Sequence, residues 1–233
     1  MVQISNNPAY SVLRVKFKKT GDLQYISHLD LVRTMHKIIV RAGLPLWYTE
    51  GFNPKPKMVF AAPLSVGAES LCEFMDLRVT SRMAPEEVMA RLNANMTDEM
   101  QVLDAYYPET KITELAFLAY EIRIKTAGMS EDILQGCRDA LSGDTVTVLK
   151  KTKSGEAEVD IKPLIKSIEI SSNDNLIAID CVLSADPSSF LNPEYLIKFL
   201  KDKAGILSDP VLTNEWYTVL RTEAYNADMT EFK

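Results

Sequence analysis

Tyr10-Ser11-Val12-Leu13-Arg14-Val15-Lys16-Phe17-Lys18 alternates, Val12 apart, between apolar Leu13, Val15 and Phe17 and polar Arg14, Lys16 and Lys18. That period of two is the signature of a half-buried strand. Gly21-Asp22 turns the chain, and Ser27-His28-Leu29-Asp30 reads as a helix start. Ser27 suits the N-cap, and Asp30 sits at the third helical position, forming a capping-box-like pair near the positive end of the helix dipole. Leu31, Met35, Ile38 and Ala42 then form an apolar stripe able to cover a sheet. Gly43 and Pro45 stop the helix near Ala42.

Outward from this unit, residues 57–62 and 72–79 read as strands joined through Pro63 to Ser70, with Gly67-Ala68-Glu69-Ser70 as a tight turn. Pro85 opens a helix expected to reach Met96, and 101–106 is a further strand. Strand, helix, strand, strand, helix, strand is the split βαββαβ order, a ferredoxin-like α+β fold with an antiparallel sheet. The second half nearly repeats it. Strand 119–125, helix 130–141, strand 145–151, strands near 167–171 and 176–183, helix 192–204 and strand 216–223 follow in turn, with an extra segment at 158–162 interrupting the pattern. Asn192-Pro193-Glu194 is a helix start, Asn as cap and Pro in the first turn. Two ferredoxin-like domains follow, 1–110 and 111–233, meeting near residues 108–116, and the residues after Asn226 read as loose.

Composition agrees with a folded globular chain: 46% of the 233 residues are hydrophobic and 25% charged. Met1 to Asn7 lacks the layout of a signal peptide, and no run approaches the ~18 apolar residues of a membrane span, so a cytoplasmic protein with no membrane partner is expected. Cys72, Cys137 and Cys181 are far apart with no C-x-x-C pair, so they read as small core residues rather than metal or cluster ligands. No metal and no cofactor are expected, and there is no Walker loop, G-x-G-x-x-G, H-E-x-x-H or G-x-S-x-G. A net charge of −6 argues against nucleic acid, but residues 1–60 carry nine Lys and Arg against three acids, a local +6. Such asymmetry can attract anions to one part of an acidic molecule.

The candidate working residues fall in that basic region. Arg33, Lys37 and Arg41 recur every four residues on the outward face of the first helix. The loop Gly51-Phe52-Asn53-Pro54-Lys55-Pro56-Lys57 is stiffened by its prolines. With Trp47 and Tyr48 nearby, Phe52, Asn53, Lys55 and Lys57 offer flat apolar faces beside ammonium groups, the mixture that suits stacked bases and phosphates. Solvated surface charge and core-packed aromatics are the plain structural alternatives. His28 and His36 are eight residues apart, ~12 Å along a helix, too far to chelate one metal readily. His28 could serve as a general acid or base, with Asp30 or Glu69 assisting. Glu69 and Glu73 could instead pair with Lys55 and Lys57.

The linked motifs Ile26-Ser27-His28-Leu29-Asp30-Leu31-Val32-Arg33, Arg41-Ala42-Gly43-Leu44-Pro45, Gly51 to Lys57 and Leu64-Ser65-Val66-Gly67-Ala68-Glu69-Ser70 resemble the bacterial radical-SAM-linked protein family, a domain of unknown function. Members are fused to, or encoded beside, cobalamin-binding-type radical SAM proteins. The likeness is strong over about residues 11–80 and looser beyond, where Val159-Asp160-Ile161-Lys162-Pro163 echoes a family segment with Arg expected at Lys162. At Lys55 many relatives carry His, which departs from any shared catalytic use. The resemblance implies a radical SAM protein as partner. Joined to the basic region, it leads to an expected accessory or substrate-presenting protein that grips RNA or another anion through Arg33, Lys37, Arg41, Phe52, Asn53, Lys55 and Lys57. An RNA-processing or RNA-modifying enzyme using His28, and a protein–protein adaptor without nucleic acid, are the alternatives.

Overall fold

The computed structural model describes residues 10–152, 155–209 and 214–233; the reading of Met1 to Asn7 lies outside them. It is a mixed α+β protein with four α-helices among the described residues and antiparallel strand pairing. Among those residues, no helix is long and apolar enough to cross a membrane. The chain forms two compact units, one comprising the residues up to Leu115 together with Ala224–Lys233, the other Ala116–Glu223.

The first unit contains β1 (Ser11–Lys19), α1 (His28–Arg41), β2 (Met58–Phe60), β3 (Ala68–Val79), α2 (Pro85–Asn93) and β4 (Val102–Tyr106). β1 lies between β4 and β3, and β2 adds to β3. Leu13, Val15 and Phe17 of β1 and Met75, Leu77 and Val79 of β3 meet Leu31, Met35, Ile38 and Ile39 of α1 and Val88 and Leu92 of α2 in one buried core. The expected stripe of α1 is therefore the face that covers the sheet. β3 begins at Ala68, so the expected turn at Gly67 to Ser70 is already mostly strand. The turn is Ser65 to Ala68, closed by the Ala68 N–H on the Ser65 carbonyl at 3.3 Å, with Gly67 at φ +86°.

The second unit contains β5 (Phe117–Lys125), α3 (Glu131–Ser142), β6 (Thr147–Thr152), β7 (Gly155–Asp160), β8 (Ile165–Asn173), β9 (Leu176–Ser184), α4 (Pro193–Ala204) and most of β10 (Trp216–Tyr225). Its strand order is β10-β5-β9-β8. Ile122 opposes Ile179 and Ile124 opposes Ile177 across β5 and β9, and all four are buried with Leu134 and Cys137 of α3 and Leu196 and Leu200 of α4. The strand expected at 145–151 is not part of this sheet. It pairs with β7 in a separate two-stranded hairpin, because Asp160 accepts the backbone N–H groups of Val146 (2.8 Å) and Lys162 (3.0 Å) and closes the insertion on itself. All three cysteines are buried and free.

Two further expectations are corrected in the first unit. Alternation along β1 put Arg14 on a solvent-facing side, yet its side chain is completely buried. Its guanidinium donates to both Asp76 oxygens, at 2.7 and 3.0 Å, and to the Thr110 hydroxyl and carbonyl at 3.2 and 3.0 Å. The residues after Asn226 are not loose. Tyr225 bridges to Glu231, Phe232 donates its N–H to the Ala224 carbonyl at 2.9 Å, and the fully buried Phe232 ring packs edge-on to Phe74 at 5.0 Å and under Arg14 at 4.7 Å. The tail thus covers the face of β1 and β3 that α1 and α2 leave open. Truncating Phe232 to Ala is expected to destabilise the first unit by about 3–5 kcal/mol, the usual cost of emptying a phenylalanine site. Urea unfolding followed by Trp47 emission in a Trp216→Phe background would measure it.

Candidate nucleic-acid interface

The candidate residues fall into two groups, held at opposite ends of β3. At the start of α1, Ser27 Oγ accepts the Asp30 N–H at 3.2 Å and donates to the Asp30 carboxylate at 2.7 Å. Arg33 donates to the other Asp30 oxygen at 3.2 Å. The Ser27 hydroxyl, with Arg33 next, holds the Asp30 carboxyl below its ordinary value. His28 turns its ring edge-on to Phe60, 5.4 Å away. Glu69, on β3, accepts the Gly21 N–H at 2.6 Å rather than pairing with Lys55 or Lys57, while Gly67 donates to the Gln24 carbonyl at 2.9 Å. Gly21 needs φ +60° here, and a Cβ on it would meet the Glu99 carboxylate at 2.5 Å. Asp30 therefore caps a helix and Glu69 clasps the turn that leads into it; neither carboxylate is turned to His28. Glu73 is buried within β3.

At the other end of β3 the chain leaves α1 through Gly43 and Pro45 and builds a narrow arm from Trp47 to Lys57. Trp47 donates to the Arg78 carbonyl (2.8 Å), Arg78 to Lys57 (3.1 Å) and Lys57 to Trp47 (3.1 Å), which anchors the base of the arm on β3. Thr49 donates to the Lys55 carbonyl at 2.9 Å, the Thr49 hydroxyl accepts the Lys55 N–H at 3.1 Å, and Tyr48 bridges to Pro56. Glu50 to Pro54 form the tip, where Gly51 takes φ +119°, a conformation open to glycine and costly for other residues. Every residue from Glu50 to Lys55 is exposed, and the Phe52 side chain, at 112% relative exposure, meets no packing surface at all.

The base of the arm carries a cluster that the sequence pattern did not single out. The Arg78 guanidinium lies over the Tyr10 ring at 4.4 Å and the Trp47 ring at 5.5 Å, and the two rings are 5.6 Å apart. Arg78 follows the inward-facing Leu77 by one residue, so period two placed it on the far face, but its partners are Tyr10, just before β1, and Trp47 of the arm. Arg33, Lys37 and Arg41 are exposed along α1 as expected, and Arg41 ends the helix just before the arm begins. The positive region is narrower than the count suggests. Arg14 is buried on Asp76, Lys16 is paired with Glu231 at 3.2 Å, and Lys19 is buried.

His28 and Glu69 stay with the capped end of α1, and Phe52, Asn53, Lys55 and Lys57 stay with the arm. From Glu69 to Arg78 is nine residues of strand, ~30 Å at the usual rise. The arrangement provides a projecting aromatic with flanking amide and ammonium groups at one end and a hydrogen-bonded helix cap at the other. Among the described residues no group of His, Cys, Asp and Glu is placed to hold a metal ion.

The class so defined is an α+β protein of two units whose first unit carries an exposed aromatic arm hydrogen-bonded along its sides. The chain belongs to the bacterial family described as "Uncharacterized protein conserved in bacteria (DUF2344)", whose model matches residues 12–193. No protein with a curated description matches it. A chain of a Cbf5-Nop10-Gar1 complex is similar in fold, with TM-score 0.51 and 10% identity over 96% of this chain and 51% of that one, so this chain spans about half the length of the structure it matches. An unknown protein from Galdieria sulphuraria (TM-score 0.26, 8% identity, 91% and 98% covered) and DyPB from Rhodococcus jostii RHA1 (TM-score 0.22, 8% identity, 94% of each) are too distant to carry an argument.

Two outcomes check the capped end. Replacing Glu69 with Ala should cost about 1–3 kcal/mol of first-unit stability, the worth of a hydrogen bond to a charged group, read by the same urea unfolding. Because the folded pKa of Asp30 is depressed, its contribution to α1 is present above the ordinary value of 3.8 and is lost as pH falls through the lower folded value. Asp30→Asn should flatten the acid limb of helicity measured by circular dichroism.

Proposed function

We propose that this protein binds single-stranded RNA through the arm, Phe52, Asn53, Lys55 and Lys57, with Arg41 and Lys37 of α1 extending the contact. The observation that carries the reading is the bare Phe52 ring at the tip of a hydrogen-bonded arm. Exposing a phenylalanine to water is unfavourable by roughly 2 kcal/mol, and a rigid scaffold holding it there is what a stacking platform requires. A base stacked on such a ring, with its phosphates near Lys55 and Lys57, is recognised with little regard to sequence. The exposed Lys55 and the half-buried Lys57 supply the salt-dependent part of the affinity.

In this reading the protein is an accessory that presents RNA to a radical SAM enzyme, the partner implied by the motifs from Ile26 to Ser70, and it works in the cytoplasm. Each unit is read as a ferredoxin-like half, supported by the order β4-β1-β3 with β2 beyond in the first and β10-β5-β9-β8 in the second. The enzyme reading has less support, since Asp30 and Glu69 are both engaged in structural hydrogen bonds.

Phe52→Ala should weaken binding of a short single-stranded RNA by about 1–3 kcal/mol, or roughly 5- to 150-fold, with the melting temperature unchanged. Lys55→Ala with Lys57→Ala should lower the slope of log affinity against log salt by about one to two. Fluorescence anisotropy across 50–200 mM salt measures both. Full RNA affinity in Phe52→Ala would reject the arm as the contact, and co-purification of a radical SAM protein after nuclease treatment, with no RNA binding by the protein even at low salt, would point to an adaptor instead.

A further inference from the structure

The second unit holds an open cavity of about 450 Å³ between α4 and the start of β10. Its size falls within the range of small-molecule sites. Ile197 and Leu207 are its buried apolar residues, and Trp216, 44% exposed, and Tyr217, 39% exposed, line it from the start of β10. Lys198 and Lys201 are three residues apart on α4, hence on one helix face, and both line the cavity. Both lysine side chains are exposed.

The two carboxylates of the cavity are occupied by the protein itself. Glu215 is buried and accepts the Thr126 hydroxyl and the Ala127 N–H, both at 2.8 Å, and the Asp209 N–H at 2.7 Å. Thr126 in turn accepts the Leu207 N–H at 3.0 Å. These bonds fix the segment after α4, where Gly205 and Leu207 both take positive φ. Glu194 accepts the Tyr217 hydroxyl at 2.8 Å, which orients that ring. Acceptors are thus committed, Lys201 lies near enough to Glu215 to help hold that carboxyl below its ordinary value, and Lys198 stands exposed beside a half-exposed indole.

We infer that this cavity binds a nucleoside 5′-monophosphate unit, free or as one residue of a strand, its base against Trp216 and its phosphate against Lys198 and Lys201. The Trp216 and Tyr217 rings supply a π-face that any base can use, and paired lysines bind a phosphate as point charges. Charge and shape are both needed: an apolar cavity alone would take an uncharged ring, and surface lysines alone would take any anion. The site stands on its own residues and does not depend on the arm.

The chain has two tryptophans, Trp47 and Trp216, so in a Trp47→Phe protein the remaining indole reports the cavity. Titration with AMP should quench its emission saturably, with half-saturation below about 1 mM, and a short oligoadenylate should do the same if a strand residue is accepted. Adenosine and inorganic phosphate should each bind at least tenfold more weakly than AMP. Lys198→Ala with Lys201→Ala should raise the half-saturation tenfold or more while the melting temperature holds; should that variant melt early, Lys198→Gln with Lys201→Gln gives the same reading. Absence of saturable quenching by both AMP and oligoadenylate, or quenching unchanged in either lysine variant, overturns the site. Phe52→Ala should leave this titration untouched, which separates its failure from that of the arm.

Discussion

The first unit depends on the Arg14 guanidinium. A buried cation without partners costs several kcal/mol, and Arg14 is spared that by three segments that converge on it: Asp76 from β3, Thr110 after β4, and the Phe232 ring from the tail. Burial by itself would hold the Asp76 carboxyl neutral to higher pH, and it does keep its pKa above the ordinary value even with Arg14 against it. The pair is thus a constraint on geometry more than a source of net stability. Once Arg14 is buried, β1 and β3 must keep their register, the chain after β4 must pass over it, and residues 224–233 must return to the first unit.

That constraint positions the arm. With β3 locked to β1 from Ser11 opposite Val79 through Phe17 opposite Glu73, Leu77 and Arg78 near its end are fixed; Leu77 pairs with Met58 of β2, and the base of the arm bonds to Arg78. The same locked strand sends Glu69 to the far end, where it clasps Gly21. β3 therefore sets the two clusters apart, so candidate residues that share one basic region of the sequence serve two structural purposes. Those near Ser27 build a helix start, and those near Phe52 are left exposed to solvent.

Much of the fold was legible because its signals are local. Ser27 with Asp30, Asn192 with Pro193, and the strand from Leu13 to Phe17 each depend on neighbours within a few positions, and each element appears as expected, Arg14 being the exception to the alternation. The lysines and Phe52 of the candidate interface were legible for the same reason, since an exposed proline-braced loop is written in its own residues. Arg78 was not, because what marks it is contact with Tyr10 and Trp47. Nor was the hairpin of β6 and β7: the sequence of β6 suits any strand, and its partner is decided by Asp160 closing the insertion.

By itself the sequence determined the helices, their caps, most strands, the stiff arm and the sign of its charge, since backbone propensity, side-chain periodicity and proline are short-range properties. Tertiary structure alone decided which polar residues are buried, where the tail goes and which cations remain available. Arg14 and Lys55 are both basic residues on the same basic stretch. One is enclosed by segments some 60 to 220 positions away and the other is left in water, because burial is a property of what the rest of the chain brings to a residue, not of the residue.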